Sequence, residues 1–429
     1  MAHDTAAPAA RADDVLGVAI RYLREWTAAP GVGGHPCDPG IPVLASLVAD
    51  ERAAPAAVAA WSRTAGRGPS HPALYDGGLA GTFVGLRLGA RCQPGLRRAA
   101  DRLGAHLASR PARYRTREVA FPDYDLISGP AGTLLALCTT EPAEPMKPAE
   151  PTEPAEPAEP AEPAEPAETA EPAEPAAPDQ PPRPLVAHLV LLCDEADLGR
   201  LRTGQYAHHP QLGWVHGLVN TGMGHGVAGL VTALTAALRR AGPDADLTGD
   251  LAAALDRATR WLVRQAYYDE RSIRTWPGAG PAGPPSRTAH PRQAWCYGTP
   301  GVAWALWDAA DALGDTAAAD WAAAAFTTLA GHYDETFHLY GDTPGDRLGL
   351  CHGAAGVLAV ADAFDRHARL PAAGALKNRL VRHLTARLAA PPPADGPADL
   401  LNGLPGTLAA LLTAAHGAPR GWLPCLGLR

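Results

Sequence analysis

The chain has 429 residues, a formal net charge of −8, 46% hydrophobic residues and only 6% aromatic residues. It is long enough to bury a large core, and its Ala-rich and Leu-rich composition favours helices over sheets. Seven widely spaced cysteines exclude a disulfide scaffold and suit a reducing compartment.

The ends and the charge distribution exclude several classes of protein. Residues 1–14 carry no apolar segment of the kind that a signal peptide needs. No run of about 18 uninterrupted apolar residues occurs, so we expect no membrane span. The negative charge comes mainly from residues 141–178, which hold eleven Glu and one Lys, and nothing in this distribution favours nucleic acid. The sequence therefore predicts a cytoplasmic protein.

A Gly-x-x-Gly sequence recurs six times, each time before a run of small and apolar residues. The first glycines of these motifs are Gly78, Gly129, Gly226, Gly298, Gly353 and Gly403. Without residues 141–184 and an extra loop at 276–291, the motifs recur about every 50 residues, a period typical of helical-pair repeats. Glycine at the start of each helix permits a tight turn and close backbone approach.

Two kinds of helix alternate at this period. Runs with few charges predict helices buried all round, at residues 227–241, 302–313, 354–364 and 407–415. Amphipathic runs predict helices with one exposed face, at residues 96–109, 251–265, 317–329 and 375–388. The alternation predicts an all-α fold, an α/α toroid of six to seven inner and outer helix pairs, in which helices at 15–26 and 43–48 complete a seventh pair. An open solenoid is the alternative.

The predicted toroid is interrupted once. Residues 1–140 form its first part and residues 185–429 its remainder, which includes a metal site. Between them, residues 141–184 repeat Glu-Pro-Ala, and a proline at every third position prevents a helix interior. We predict a disordered insert, because the tract has almost nothing to bury. A binding segment for a basic partner is the alternative.

Two cysteines stand at equivalent places in adjacent repeats. Cys296 comes shortly before Gly298, and Cys351-His352 comes directly before Gly353. Equivalent positions of a closed ring meet at one end of its axis, so two thiols and one imidazole are expected to lie together. Cys-Cys-His is a known zinc ligand set, and three protein ligands leave one position open, as in catalytic sites. Two buried free cysteines are the alternative.

Other polar residues stand beside the same turns. His225 precedes Gly226 and has a side chain suited to proton transfer, although a structural histidine or a metal ligand is equally consistent with its position. Asp125 could orient His225 or a substrate, or could cap a helix. Arg292 could stabilise developing negative charge, or could be an ordinary surface arginine. The remaining cysteines lack such neighbours and are interpreted as core or surface thiols: Cys37, Cys92, Cys138, Cys193 and Cys425.

These motifs together resemble the lanthionine synthetase C family, the lantibiotic cyclases. The resemblance rests on Trp295-Cys296-Tyr297-Gly298, on Cys351-His352-Gly353, on residues 220–226 and on Tyr124-Asp125 before Gly129, and it covers nearly the whole chain except 141–184. It implies a toroid of seven inner and seven outer helices and one zinc ion. It implies zinc ligation by Cys296, Cys351 and His352. It also implies catalytic or substrate-contacting roles for His225, Asp125, Arg292 and Tyr297.

The implied reaction is the addition of a substrate cysteine thiol to dehydroalanine or dehydrobutyrine, which gives a thioether ring. The implied partners are a dehydrated precursor peptide and a separate dehydratase. Some bacterial members carry a small inserted domain that is thought to engage the leader peptide, and this sequence has no such folded insert. The loop at 276–291 precedes Arg292 and Cys296, so we predict that it borders the mouth of the barrel.

Two other classes of barrel enzyme fit the sequence less well. A zinc hydrolase on an α/α barrel is disfavoured, because hydrolases more often use His and carboxylate ligands. A carbohydrate-active barrel needs paired carboxylates, and Asp125 has no evident carboxylate partner among the turns. The main alternative is a family member without cyclase activity that binds thiols such as glutathione or acts as a scaffold.

Overall fold

The computed structural model describes residues 12–30, 37–65, 68, 70–111, 113–139, 180–242, 244–280, 292–388 and 396–429. Residues 141–179 of the predicted disordered insert lie outside the described residues. So do residues 281–291, most of the loop predicted to border the mouth. Within the described ranges the structure consists of two concentric layers of helices.

Seven helices form the inner layer. They are α2 (Gly40–Leu47), α4 (Leu79–Gly89), α6 (Pro130–Thr139), α8 (Val227–Arg240), α10 (Thr299–Leu313), α14 (Ala354–His367) and α16 (Leu404–His416). Each packs against the next, and α16 packs against α2. The ring is therefore closed, which confirms the predicted toroid and excludes the open solenoid.

Seven further helices form the outer layer, and most of them bury one face. They are α1 (Ala12–Ala28), α3 (Ala53–Ala65), α5 (Arg97–Ser109), α7 (Arg183–Leu192), α9 (Ala245–Gln265), α11 (Thr316–His332) and α15 (Pro371–Leu388). Helix α1 packs against α16, so the first helix of the chain is the outer partner of the last inner helix. Helix α7 begins at Arg183, within the last two residues of the predicted insert.

Short helices and strands lie in the loops between the main helices. Two short helices, α12 (Glu335–His338) and α13 (Pro344–Leu348), lie between α11 and α14. Strand β1 (Val219–Asn220) pairs antiparallel with β4 (Ala279–Gly280), with Val219 opposite Gly280. Strand β2 (Tyr267–Tyr268) pairs antiparallel with β3 (Arg274–Thr275), with Tyr267 opposite Thr275. Among the helices in the part of the chain that the structure describes, none is long and apolar enough to cross a bilayer.

The glycine motifs begin the inner helices, as predicted. Gly78, Gly226, Gly298, Gly353 and Gly403 are the residues directly before their helices. The second glycine of each motif lies in the first turn, where a backbone carbonyl of the preceding loop approaches it. A Cβ on Gly301 would lie 2.0 Å from the carbonyl oxygen of Trp295, and one on Gly356 would lie 1.9 Å from that of Leu350. Glycine is therefore required for each helix to pack this closely against its own loop.

Backbone hydrogen bonds join each of these loops to the next. From amide nitrogen to carbonyl oxygen they run from Tyr75 to Ile127, Leu126 to Gly224, Met223 to Cys296, Cys296 to Cys351 and Cys351 to Leu401. The Leu400 amide then donates to Oδ1 of Asp38, two residues before α2, at 2.7 Å. These bonds join the seven loops at this end of the toroid in one series, from the loop of Tyr75 to that of Asp38, and so restrict the positions of the side chains that the loops carry.

The C-terminal segment, residues 422–429, packs inside the ring. Three side chains from different parts of the ring donate to its carbonyl oxygens: Tyr75 Oη to Cys425 at 2.9 Å, Trp295 Nε1 to Leu426 at 3.0 Å, and Trp304 Nε1 to Gly427 at 2.7 Å. Leu423, Cys425, Leu426 and Leu428 are buried. This segment fills the interior behind the loop that carries Trp295.

Candidate metal centre

The structure brings Cys296, Cys351 and His352 together at the hydrogen-bonded end of the ring. One potential ligand atom from each residue lies within 4.8 Å of the others. The Cys296 amide donates to the Cys351 carbonyl at 3.3 Å, and this bond holds the two cysteines side by side. Nδ1 of His352 lies 3.4 Å from Oδ1 of Asp346 and is buried without a hydrogen-bond partner in the described structure. Two thiols and an imidazole whose potential ligand atoms lie this close together fit a zinc ion.

The protonation of this group follows from its own contacts. The hydrogen bond to Cys296, together with burial, raises the pKa of the Cys351 thiol well above its ordinary value. The pKa of His352 is also raised, because the neighbouring Cys351 thiol stabilises the protonated ring more than burial disfavours it. A metal ion needs deprotonated ligands, so its binding would release protons from these residues.

His225 and Asp125 form a second polar pair. Nδ1 of His225 lies 2.5 Å from Oδ2 of Asp125, whose side chain is fully buried. The other carboxylate oxygen, Oδ1, accepts the backbone amides of Ser128 and Gly129, each at 2.7 Å. Asp125 therefore both caps the turn before α6 and orients the imidazole. Because Nδ1 is engaged, Nε2 is the nitrogen of His225 that is left for a substrate.

Two aromatic residues fix the rest of the His225 loop. Phe121 stacks on the His225 imidazole, with ring centroids 4.5 Å apart and planes inclined by 16°. Tyr124 Oη donates to the His225 carbonyl at 2.8 Å. The His225 side chain is 33% exposed, so the ring is held from one side and open on another.

The candidate metal-binding group (Cys296, Cys351 and His352) and the His225–Asp125 pair lie on loops that are bonded to each other. The Met223 amide donates to the Cys296 carbonyl at 2.8 Å, which attaches the His225 loop to the loop of the first cysteine. A Cβ on Gly224 would lie 3.6 Å from Cβ of Cys296. The residue directly before His225 is therefore in van der Waals range of the cysteine. The structure thus brings the metal-binding group and the histidine–aspartate pair to the same end of the ring.

Tyr297 follows Cys296 and packs on the loop that carries His225, since a Cβ on Gly222 would lie 2.7 Å from its ring. Its Oη accepts the side-chain amide of Asn220 at 2.7 Å. Burial raises the pKa of the Tyr297 hydroxyl, so the phenol stays neutral and keeps a proton that it can donate.

Arg292 lies on the metal side of the site. Its guanidinium is 4.2 Å from the ring centroid of Tyr340, and its Nη1 is 3.5 Å from the Tyr340 carbonyl oxygen. Its positive charge opposes the protonation of His352. None of its described contacts is with His225.

A cavity opens next to His352. It has a volume of about 600 Å³ and is mainly apolar, with Asp346, Asp399 and Asn402 among its polar lining residues. The cavity therefore borders one member of the Cys296–Cys351–His352 group and is large enough for part of a peptide.

The other five cysteines are free thiols without a second cysteine partner. Cys37, Cys138, Cys193 and Cys425 are buried, and Cys92 is partly buried. Burial raises the pKa of Cys138, Cys193 and Cys425 to about 12 in each case. Thiols with such pKa values are chemically inert at neutral pH, in agreement with their interpretation as core residues.

Residues 189–422, just over half of the chain, match the family model for "Lanthionine synthetase C-like protein". The chain belongs to the lanthionine synthetase C-like family. Its structure resembles that of a protein described as "Nisin cyclase", with a TM-score of 0.68 and 16% sequence identity over 97% of this chain and 98% of that chain. At this identity the likeness concerns the fold alone. Among curated proteins, none matches the sequence.

Several contacts of the site carry no signal in the sequence. Phe121 lies about a hundred positions from the imidazole on which it stacks, and Asn220 lies 77 positions from its partner Tyr297. The C-terminal segment behind Trp295 is 131 positions away from it. Only the regular spacing of the glycine turns could have indicated that Asn220 and Tyr297 meet, because both belong to turns of neighbouring repeats.

Proposed function

We propose that this protein is a zinc-dependent peptide cyclase. It would add cysteine thiols to dehydroalanine or dehydrobutyrine residues of a precursor peptide and so form lanthionine or methyllanthionine rings. Family membership and the toroid fold support the cyclase class. The observation that carries the proposal is the bond from Met223 to Cys296, because it joins the loop of a candidate proton donor to the metal-binding group.

The proposed zinc ligands are Cys296, Cys351 and His352, which leave a fourth position for a substrate sulfur. Bound zinc would stabilise the substrate thiolate at neutral pH, where a free thiol with a pKa near ~8.5 is mostly protonated. The ligand loops are fixed to each other by the bond between the Cys296 amide and the Cys351 carbonyl, so the three side chains need little rearrangement to bind the ion.

The proposed role of His225 is to supply a proton. When the substrate sulfur bonds to Cβ, the π electrons of the dehydro residue move to Cα and its carbonyl, and Cα must gain a proton. Protonated His225 would give this proton from Nε2 and become neutral, and the proton released by the substrate thiol would return the imidazole to its protonated form. Asp125 would hold the ring in place through Nδ1 and stabilise its charged form.

Two further residues have proposed roles in this step. Tyr297 would donate its phenolic proton in a hydrogen bond to the substrate, since burial keeps that group neutral. Arg292 would stabilise the enolate oxygen or the peptide carbonyl on the metal side of the site. Both roles are separable from zinc binding, because neither side chain belongs to the metal-binding group.

The proposed reaction needs a dehydrated peptide as its substrate. Dehydroalanine and dehydrobutyrine are formed from serine and threonine by loss of water, and we propose that a separate dehydratase carries out that step. We propose that cyclisation takes place in the cytoplasm, where substrate thiols and the five other cysteines remain reduced.

A direct test uses synthetic peptides that contain one cysteine and one dehydroalanine or dehydrobutyrine at varied spacing. Zinc-loaded protein should form the ring faster than the uncatalysed reaction. Cyclisation leaves the mass unchanged and removes the thiol, so alkylation followed by mass spectrometry measures it. Cys351→Ala should give only the uncatalysed rate. Saturable glutathione binding by wild-type protein without any acceleration on these peptides would instead support the non-cyclase alternative.

A further inference from the structure

Residues 203–218 form a loop that contacts both sides of the candidate site, the side of His225 and the side of Cys296. We call it the mouth loop, and it is separate from the loop at residues 276–291. Its ends are tied together, because the Thr203 amide donates to the Leu218 carbonyl at 3.0 Å and the Gly217 amide donates to the Thr203 carbonyl at 2.8 Å. The Thr203 hydroxyl also donates to the Val215 carbonyl, and Val215 is buried. The loop is therefore anchored from within, and the side chains on it have fixed starting positions.

One part of the mouth loop contacts the histidine half of the site. Tyr206 Oη accepts the Phe121 amide at 2.9 Å, and the two rings lie 4.9 Å apart. Phe121 in turn stacks on His225. Through these contacts the mouth loop supports Phe121, the ring on which the His225 imidazole stacks.

Another part of the mouth loop contacts the metal half. Trp214 lies on a short 3₁₀ turn, Gly213–Val215, and its ring centroid is 6.3 Å from that of Tyr297, the residue after Cys296. A Cβ on Gly278 would lie 3.0 Å from the Trp214 ring, so the indole also rests against the strand segment that leads into β4. Trp214 is nevertheless 50% exposed.

The half-exposed indole of Trp214 lies on an anchored loop, where it can contact a bound peptide. Tryptophan offers a large apolar area with few rotatable bonds, and it dominates many protein–peptide contacts when a partner covers it. Here one edge of the indole packs on Tyr297 and Gly278. The exposed part of the ring therefore has a fixed orientation next to the residue that follows Cys296.

Building on the proposed cyclase function, we propose that Trp214 is a substrate-positioning residue. It binds the apolar side chain of the peptide residue next to the reacting cysteine. Because its neighbour Tyr297 follows a proposed zinc ligand, an apolar residue adjacent to the substrate cysteine reaches the indole while the sulfur is at the metal. The protein therefore favours peptides with an apolar residue beside the cysteine.

The test compares two peptides that differ in one residue. One has phenylalanine next to the cysteine and the other has glycine, and in both alanine replaces the dehydro residue so that no reaction occurs. Isothermal titration of zinc-loaded wild-type protein should give tighter binding of the phenylalanine peptide. Trp214→Ala should weaken that binding about tenfold, leave the glycine peptide nearly unchanged and leave the zinc content intact. Trp214→Phe should retain most of the preference.

Tyr268→Ala is the matched control. Tyr268 is 57% exposed, and its described contacts are with Arg274 rather than with a site residue, so its loss should change neither affinity. Equal binding of both peptides by wild type, no binding of either, or equal loss of both in Trp214→Ala overturns the proposal. Preferential binding that depends on Trp214, without cyclisation of the matching dehydroalanine peptide, contradicts the cyclase function but supports peptide binding by Trp214.

Discussion

Nδ1 of His225 lies 2.5 Å from Oδ2 of the fully buried Asp125, across 100 positions of sequence. The contact joins loops of two neighbouring repeats, and the backbone bond from Leu126 to Gly224 supports it at 3.2 Å. The carboxylate is held by two backbone amides on its other oxygen, so the pair is rigid before substrate arrives. This geometry suits a residue that must present one nitrogen to a reacting carbon.

His225→Ala should lower kcat for cyclisation by about 10²- to 10⁴-fold while zinc content stays at the wild-type level, because the proton donor is lost and the metal ligands are not. Asp125→Asn should also lower kcat, since the amide can present its NH₂ group to Nδ1 and reverse the tautomer. Steady-state rates with the thiol-alkylation readout and metal analysis of each variant check this. A wild-type rate in zinc-containing His225→Ala would remove the residue from the reaction.

The close approach at Gly301 predicts a severe packing defect. Gly301→Ala places a Cβ 2.0 Å from the Trp295 carbonyl oxygen, so the helix or the loop beside Cys296 must move. We expect a loss of at least about 2 kcal/mol in the free energy of unfolding. Chemical denaturation measures this value.

Gly249→Ala is the matched control for the glycine prediction. Gly249 lies inside α9, and an added Cβ would meet nothing within 4 Å. Alanine should therefore stabilise the protein by about 0.5–1 kcal/mol through higher helix propensity. If both substitutions changed stability equally, close packing at the glycine turns would not be required.

The C-terminal segment is predicted to support the metal-binding loop. Trp295→Phe and Trp304→Phe each leave a buried carbonyl without its donor, which should cost about 1–3 kcal/mol of stability. Only Trp295 is adjacent to Cys296, so only Trp295→Phe should also weaken zinc affinity. Competition with a fluorescent zinc chelator measures that affinity. Equal zinc affinity in both variants would show that the segment has a purely structural role.

Asp38 is expected to make the free energy of unfolding depend on pH. Burial, with the nearby charges of Asp399 and Asp76, raises the pKa of its carboxyl from 3.8 to about 8. The folded state therefore keeps a proton that the unfolded state loses. The unfolding free energy should fall as pH rises from about 4 towards about 8, and this contribution should change no further above that range.

Asp38→Asn isolates this contribution. Asparagine keeps an oxygen for the amides of Gly40 and Leu400 but does not titrate. The difference in unfolding free energy between wild type and the variant should therefore change across this pH range. Urea denaturation at several pH values measures the difference. A difference independent of pH would mean that Asp38 is ionised in the folded protein.

The repeated glycine motif determined most of what the sequence could predict about the fold. It located the starts of six inner helices, and the alternation of charge separated the inner from the outer layer. The sequence left an open solenoid as the alternative, because closure depends on α16 packing against α1 and α2 and on Asp38 accepting the Leu400 amide. These contacts join the two ends of the chain, and no local pattern encodes them.

The residues of the candidate site were also only partly predictable from the sequence. The equivalent positions of Cys296 and Cys351-His352 in adjacent repeats predicted their meeting, and the structure brings their ligand atoms within 4.8 Å. Phe121, Trp214 and the C-terminal segment were missed. Each contacts a side chain from a different repeat, by ring contact or by a backbone carbonyl, and such residues carry no sequence signal that identifies the partner.

Metal analysis of purified protein tests the central claim most directly. Wild-type protein produced with zinc in the medium should contain about one zinc per chain, as should Cys92→Ala, which removes a partly buried cysteine outside the group. Cys296→Ala, Cys351→Ala and His352→Ala should each contain much less while remaining folded. A metal-free wild-type protein, or full zinc content in the folded variants, would contradict the account.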